Sequence, residues 1–167
     1  MKKTLLASLG LTLMLSTSAS VALAEEANSV PVAKESILAS SLTGNEQEPN
    51  DDFDQANEFL IGDAFIGTLG KEGVPGVWEA YDVYKFKAFE SQEVHFTIQG
   101  DRYPDCWLQL TIYDSNGQRI KRSRNGQYFL NTDVEKGKEY YLAVDAPGLQ
   151  PYTGKTFFYK VSSEVVE

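Results

Sequence analysis

Seven or eight stretches of this chain alternate apolar and polar residues with a period of two, and no stretch carries a convincing amphipathic helical pattern. Alternation at that period puts successive side chains on opposite faces of a strand, one face buried and the other wet. In 81–88, Tyr84, Phe86 and Ala88 share one face, with Lys85 and Lys87 on the other. In 93–99 the inward set is Val94, Phe96 and Ile98; in 106–114 it is Cys106, Leu108, Leu110 and Ile112. Tyr140, Leu142 and Val144 follow the same rule, as do Phe157, Tyr159 and Val161. A short strand over 64–69 precedes them, and 119–124 and 127–132 lie between turns. Ser115-Asn116-Gly117-Gln118, Asn125-Gly126 and Glu135-Lys136-Gly137-Lys138 are turn sequences. Short strands joined this way predict an all-β, antiparallel β-sandwich or barrel. Its core is expected to hold Tyr84, Phe86, Phe96, Leu110, Leu142 and Tyr159.

The N-terminus reads differently. Lys2 and Lys3 precede a Leu-rich run over 5–15, and Ala22-Leu23-Ala24 places small residues before a cleavage point at Glu25. This is the layout of a secretory signal peptide over 1–24; the run falls short of the roughly 18 apolar residues a span requires. Residues 25–45 read as a flexible leader, and 46–167 as a single domain. The expected product is secreted and extracellular, with no membrane span after cleavage.

Charge narrows the partners. The chain has 15 Lys and Arg against 24 Asp and Glu, a net charge of −9, and losing Lys2 and Lys3 makes the remainder more acidic. Nucleic acid is excluded as a partner, because phosphate binding requires clustered bases. One Cys and one His leave no disulfide framework and no Cys- or His-based zinc site. His95 alternates with Val94 and Phe96 and so points outward, and Cys106 sits in an apolar run as a packed thiol. No Ser occupies a Gly-flanked elbow, so no catalytic residue is assigned.

Acid is concentrated at 46–54, where Glu46, Glu48, Asp51, Asp52 and Asp54 occur without a base. Glu46, Glu48, Asn50 and Asp51 offer side-chain oxygens at near-alternate positions, the donor type calcium takes. Two readings fit: a calcium site, or a solvated acidic linker whose Asp and Asn cap a turn.

One ordered set of motifs carries a resemblance. Glu46-Gln47-Glu48-Pro49-Asn50-Asp51-Asp52, Ala56-Asn57, a Gly67-containing strand and Asp82-Val83-Tyr84-Lys85-Phe86 come in sequence. Leu110-Thr111-Ile112-Tyr113-Asp114 with Gly117, then Gly137-Lys138-Glu139-Tyr140-Tyr141-Leu142-Ala143-Val144, complete it. Over about 46–163 the chain resembles the bacterial pre-peptidase C-terminal domains, a family that includes the collagen-binding domains of clostridial collagenases. The resemblance implies a jelly-roll-like β-sandwich of the kind appended to secreted peptidases. It also implies that Glu79 and Asp82 join Glu46, Glu48, Asn50 and Asp51 as ligands of Ca2+.

Aromatic residues supply a second candidate site. Trp107, Tyr113, Tyr141 and Phe158 fall on the phase opposite the inward residues of their strands. On neighbouring strands they would form an exposed strip able to bind an extended polymer; alternatively that face packs on the leader or on a partner chain. The expected function is a secreted, non-catalytic, calcium-stabilised module that recognises an extracellular protein or polysaccharide. The alternative is an accessory or inhibitor-like partner of a separately encoded secreted peptidase.

Overall fold

The computed structural model describes residues 42–70, 72–74, 77–102, 104, 106–147 and 155–167, with backbone alone at 72–74 and 77–78. Residues 1–41, on which the expected signal peptide and most of the expected leader fall, lie outside the described residues. Among the described residues no helix is long and apolar enough to cross a membrane.

The strands are β1 (Thr43–Asn45), β2 (Asn57–Glu58), β3 (Ala64–Leu69), β4 (Glu72–Val74), β5 (Val77–Trp78) and β6 (Tyr81–Lys87). They continue as β7 (Gln92–Gly100), β8 (Gln109–Asp114), β9 (Arg119–Arg122), β10 (Phe129–Val134), β11 (Glu139–Asp145) and β12 (Phe157–Val165). Among the described residues two five-stranded sheets form, in the orders β1-β3-β12-β7-β10 and β2-β6-β11-β8-β9, with β4 and β5 as a separate antiparallel pair.

The eight strands expected from alternation are all present, and they pair antiparallel. The Asn-Gly turns have their glycines in the left-handed region, Gly117 at φ 74° and Gly126 at 73°, which glycine adopts without steric cost. Alternation did not show the four shortest strands, of two or three residues each, because a period of two cannot be established over so few positions. Two of them also depart from the antiparallel rule: β1 runs parallel to β3 and β2 parallel to β6. The segment expected to be leader therefore contributes its last residues, Thr43–Asn45, to a sheet edge.

Between the sheets lies a core that, among the described residues, has 21 buried members, including all six expected ones. It is unusually aromatic. Phe59 sits within 5.6–6.3 Å of the rings of Phe65, Tyr84, Phe86 and Phe96. Phe86 lies 5.5 Å from both Phe96 and Tyr140. Each such side chain contributes roughly 1.5–3 kcal/mol by leaving water. Much of the chain's aromatic content is thus spent inside the sandwich rather than on a face.

Candidate metal centre

The acidic segment is stitched between the edges of the two sheets. The Glu46 amide donates to Ile66 O on β3 (3.0 Å), and the Val83 amide on β6 donates to Asn50 O (2.8 Å). The Glu46 carboxylate accepts from the Thr68 amide (2.6 Å) and hydroxyl (3.0 Å). These contacts turn a run of acids in sequence into a cluster in space.

The cluster comprises two triads that share Glu48. Carboxylate oxygens of Glu46, Glu48 and Asp82 lie within 4.8 Å of one another, and so do those of Glu48, Asp51 and Glu79. All five carboxylates singled out from the sequence are therefore gathered in one place. Asn50, wholly buried, lies among them. Its amide nitrogen, turned toward the carboxylates, donates to Glu48 Oε2 (3.0 Å) and Asp82 Oδ1 (3.2 Å). Asp52 and Asp54 stand apart. Asp52 caps the 3-10 turn Phe53–Gln55 by accepting from the Phe53 amide (2.7 Å), and Asp54 is exposed.

Sequence alternation identified Tyr159 and Tyr84 as core residues and overlooked their hydroxyls. The Tyr159 hydroxyl sits among three oxygens: Tyr84 Oη at 2.7 Å, Glu46 Oε2 at 3.0 Å, and Asp82 Oδ2 in a very short contact. Tyr159 has one proton to give. With Tyr84 donating to it, Tyr159 donates to one carboxylate, and the other needs a proton or a cation. The available signal was chemical: a buried tyrosine hydroxyl requires a partner. Gly67, paired with Tyr159 across β3 and β12, makes room for this meeting. A Cβ there would run into the Glu46 carboxylate and the Tyr159 ring.

The carboxyls respond to this crowding. Burial, with the Glu46 charge behind it, pushes Asp82 up to about 10. Burial and the adjoining Glu48 push Glu79 up to about 9, and Asp51 is raised by burial and by Glu48. Glu79 Oε1 is buried and has no hydrogen-bond partner among the described residues. Oxygen donors alone, an orphaned buried oxygen and carboxyls that resist ionisation together form a set that a hard divalent cation would satisfy. The cluster can hold a metal ion.

The four aromatic residues of the second candidate site are not brought together. Tyr113 and Tyr141 are cross-strand neighbours on the outer face of the second sheet. Phe53, from the turn that follows the acidic segment, packs over both, with ring centroids 5.3 Å from Tyr113 and 4.7 Å from Tyr141. The chain itself covers the middle of the expected strip. Phe158 is 59% exposed, but on β12 in the other sheet. Trp107 precedes β8, half-buried, with its indole Nε1 buried and without a partner among the described residues. The phase of each strand was legible, but phase alone does not say which sheet a strand joins. His95 does face outward, stacked on Phe129, and Cys106 is buried with its thiol pushed up by desolvation.

No protein-family model matches the chain, and no curated protein matches it. Solved structures do show its class of fold. The sandwich has the fold of the pre-peptidase C-terminal domain of a collagenase from Bacillus anthracis, with a TM-score of 0.50. That likeness covers 71% of this chain and 100% of that domain at 15% identity, and at that identity it speaks for the fold. The fold implied by the motif resemblance is thereby met. PliG from Aeromonas hydrophila, a periplasmic lysozyme inhibitor of g-type lysozyme, also matches, over 66% of this chain and 99% of that one. Its TM-score of 0.39 and identity of 10% carry no argument.

Proposed function

We propose that the protein is a secreted, non-catalytic binding module whose acidic corner takes calcium and thereby locks the two sheets together. The observation that carries this reading is the gathering of Glu46, Glu48, Asp51, Glu79 and Asp82 into two triads that share Glu48, with Asn50 beside them, anchored to both sheets. Calcium accepts six to eight oxygens in flexible geometry, which suits carboxylates on an irregular segment, with the Asn50 amide turning its oxygen to the ion in place of the nitrogen it offers Glu48 and Asp82. When bound, the ion supplies positive charge that lets buried carboxyls ionise. This chain's own residues do the rest. Thr68 fixes Glu46, Tyr159 ties Glu46 and Asp82 to the core, and before an ion enters Asn50 aligns Glu48 with Asp82. Support for an exported module comes from the 1–24 signal pattern and from the likeness of fold to a C-terminal domain of a collagenase. Its ligand, on this reading, is an extracellular protein or polysaccharide.

The test is calorimetry of the protein in calcium and in chelator. A ligand at 100 times its Kd adds about 2.7 kcal/mol, and each kcal/mol moves the midpoint of a domain this size by roughly 3–6 °C. Saturating calcium should raise it by roughly 10 °C, and magnesium by much less because it sheds water reluctantly. Equal midpoints in calcium and chelator would return the segment to a plain acidic linker.

A further inference from the structure

The edge of the sandwich away from the acidic corner carries the opposite charge. Residues 115–132 contain no Asp or Glu and four bases, Arg119, Lys121, Arg122 and Arg124, in a chain with 24 acids. Strand β9 is exposed at every position and forms the outer edge of its sheet, as β10 does of the other. Where those edges meet there is a cleft of about 250 Å3, lined by Lys121, Arg122, Arg124, Gln127, Phe129 and Asn131 with Leu130 behind.

Some bases elsewhere are paired, although among the described residues Lys87, Lys155 and Lys160 hold no carboxylate either. Lys85, Lys136 and Lys138 each hold a carboxylate at 2.8–2.9 Å. Arg122 is turned to Thr111 Oγ1 (2.9 Å) and Asp145 (3.4 Å). Among the described residues no carboxylate pairs with Arg119, Lys121 or Arg124. Gln127 accepts from the Arg124 amide through its oxygen, which leaves its NH2 as a donor. The Asn131 oxygen is taken by His95, and its nitrogen is tied to Glu93, the acid on the facing strand. Phe129, 46% exposed, supplies an apolar wall stacked on His95.

Lysine and arginine on an edge strand also discourage edge-to-edge pairing. That accounts for charge on β9, and it does not account for Arg124 and Gln127, which lie beyond the strand and line the same cleft. Two unpaired cations, an amide donor and an aromatic wall make a site for an oxyanion: guanidinium and ammonium suit phosphate and carboxylate alike. The volume is below that of a pocket for a whole small ligand, roughly 300–1,000 Å3, so it fits one anionic group with its immediate neighbours on a longer chain.

We infer that the β9–β10 cleft binds an oxyanion-bearing extracellular polymer, one phosphate or carboxylate group at a time, through Lys121, Arg124 and Gln127. This names the ligand class for the binding-module reading, on which it rests, without depending on the calcium. The purified protein should be titrated calorimetrically with polyphosphate and with poly-L-glutamate in chelator, because both probes bind calcium themselves. Binding is expected without calcium, so a failed cleft is told apart from a failed calcium reading, which the melting midpoint reports. Binding of polyphosphate alone assigns phosphate, binding of polyglutamate alone assigns carboxylate, and binding of both assigns oxyanions generally. Lys121→Glu with Arg124→Glu should weaken binding at least tenfold, while Lys136→Glu with Lys138→Glu, which changes net charge equally, should weaken it less than threefold. Should the reversed cleft variant not fold, Lys121→Gln with Arg124→Gln carries the same comparison. For polyphosphate, a fourfold rise in salt should cost roughly tenfold in affinity if about two charges are neutralised. No binding of either probe, or equal losses in the two double variants, would overturn the inference.

Discussion

At the β1 and β2 edge the sandwich gathers five carboxylates, and at the β9 and β10 edge it gathers four bases. The two clusters are built on opposite principles. The acidic one is drawn inward: Asp82 and Asn50 are wholly buried, and a core tyrosine hydroxyl holds Glu46 and Asp82. Its electrostatics therefore belong to folding stability. The basic one stays in water, with Arg119, Lys121, Arg122 and Arg124 all exposed. Solvent screens those charges, so they bear little on stability and remain free to act on a partner. Like charges side by side thus do different work according to whether water reaches them.

The largest expected effect lies at the acidic edge. Asp82→Asn should remove most of the roughly 10 °C calcium shift. In chelator near pH 4 it should leave the midpoint nearly unchanged, because Asp82 is then largely protonated folded and unfolded alike; at neutral pH it should raise the midpoint, because the variant no longer takes up a proton on folding. A large fall in chelator would show that Asp82 is ionised in the free protein, and the contrast between the edges would weaken. Next comes Tyr159→Phe, which leaves two carboxylates and Tyr84 without their shared hydroxyl. A loss of about 1–3 kcal/mol is expected from denaturant unfolding. Gly67→Ala should cost a similar amount, about 1–3 kcal/mol, by crowding the same meeting point.

The pH dependence sharpens the comparison further. Asp82 and Glu79 titrate above their ordinary range when folded, so the native state binds protons that the unfolded chain releases. Their contribution in chelator is fully present below about pH 4 and is lost as pH rises toward about 10. Subtracting the stability profile of Asp82→Asn from that of the unaltered protein isolates this fall; a difference independent of pH would contradict it. Binding calcium at neutral pH should correspondingly release roughly one to two protons, read from calorimetry in buffers of different ionisation enthalpy. The smallest effect belongs to the basic edge. Lys121→Glu with Arg124→Glu should change stability by no more than about 0.5 kcal/mol, and a larger loss would mean that this edge also supports the fold.

The sequence by itself determined the eight main strands, their inward residues and the acidic donors. Each follows from the order of neighbouring side chains, and a period of two is a local property. Glu46, Glu48, Asn50 and Asp51 were visible because near-alternate oxygens within one segment need no tertiary information. Glu79 and Asp82 were legible only through a motif resemblance, since nothing local joins them to residue 46. What the tertiary structure alone decided is who meets whom. Tyr159, 113 residues from Glu46, places its hydroxyl in the acidic cluster because β12 lies beside β3 in the sheet. Phe53 takes the surface over Tyr113 and Tyr141 because the segment leaving that cluster folds across the outer face. The cleft of unpaired bases exists because β9 and β10, edges of different sheets, come to lie together. Alternation fixes which way a side chain faces, and only the packing of one sheet on another fixes what it faces.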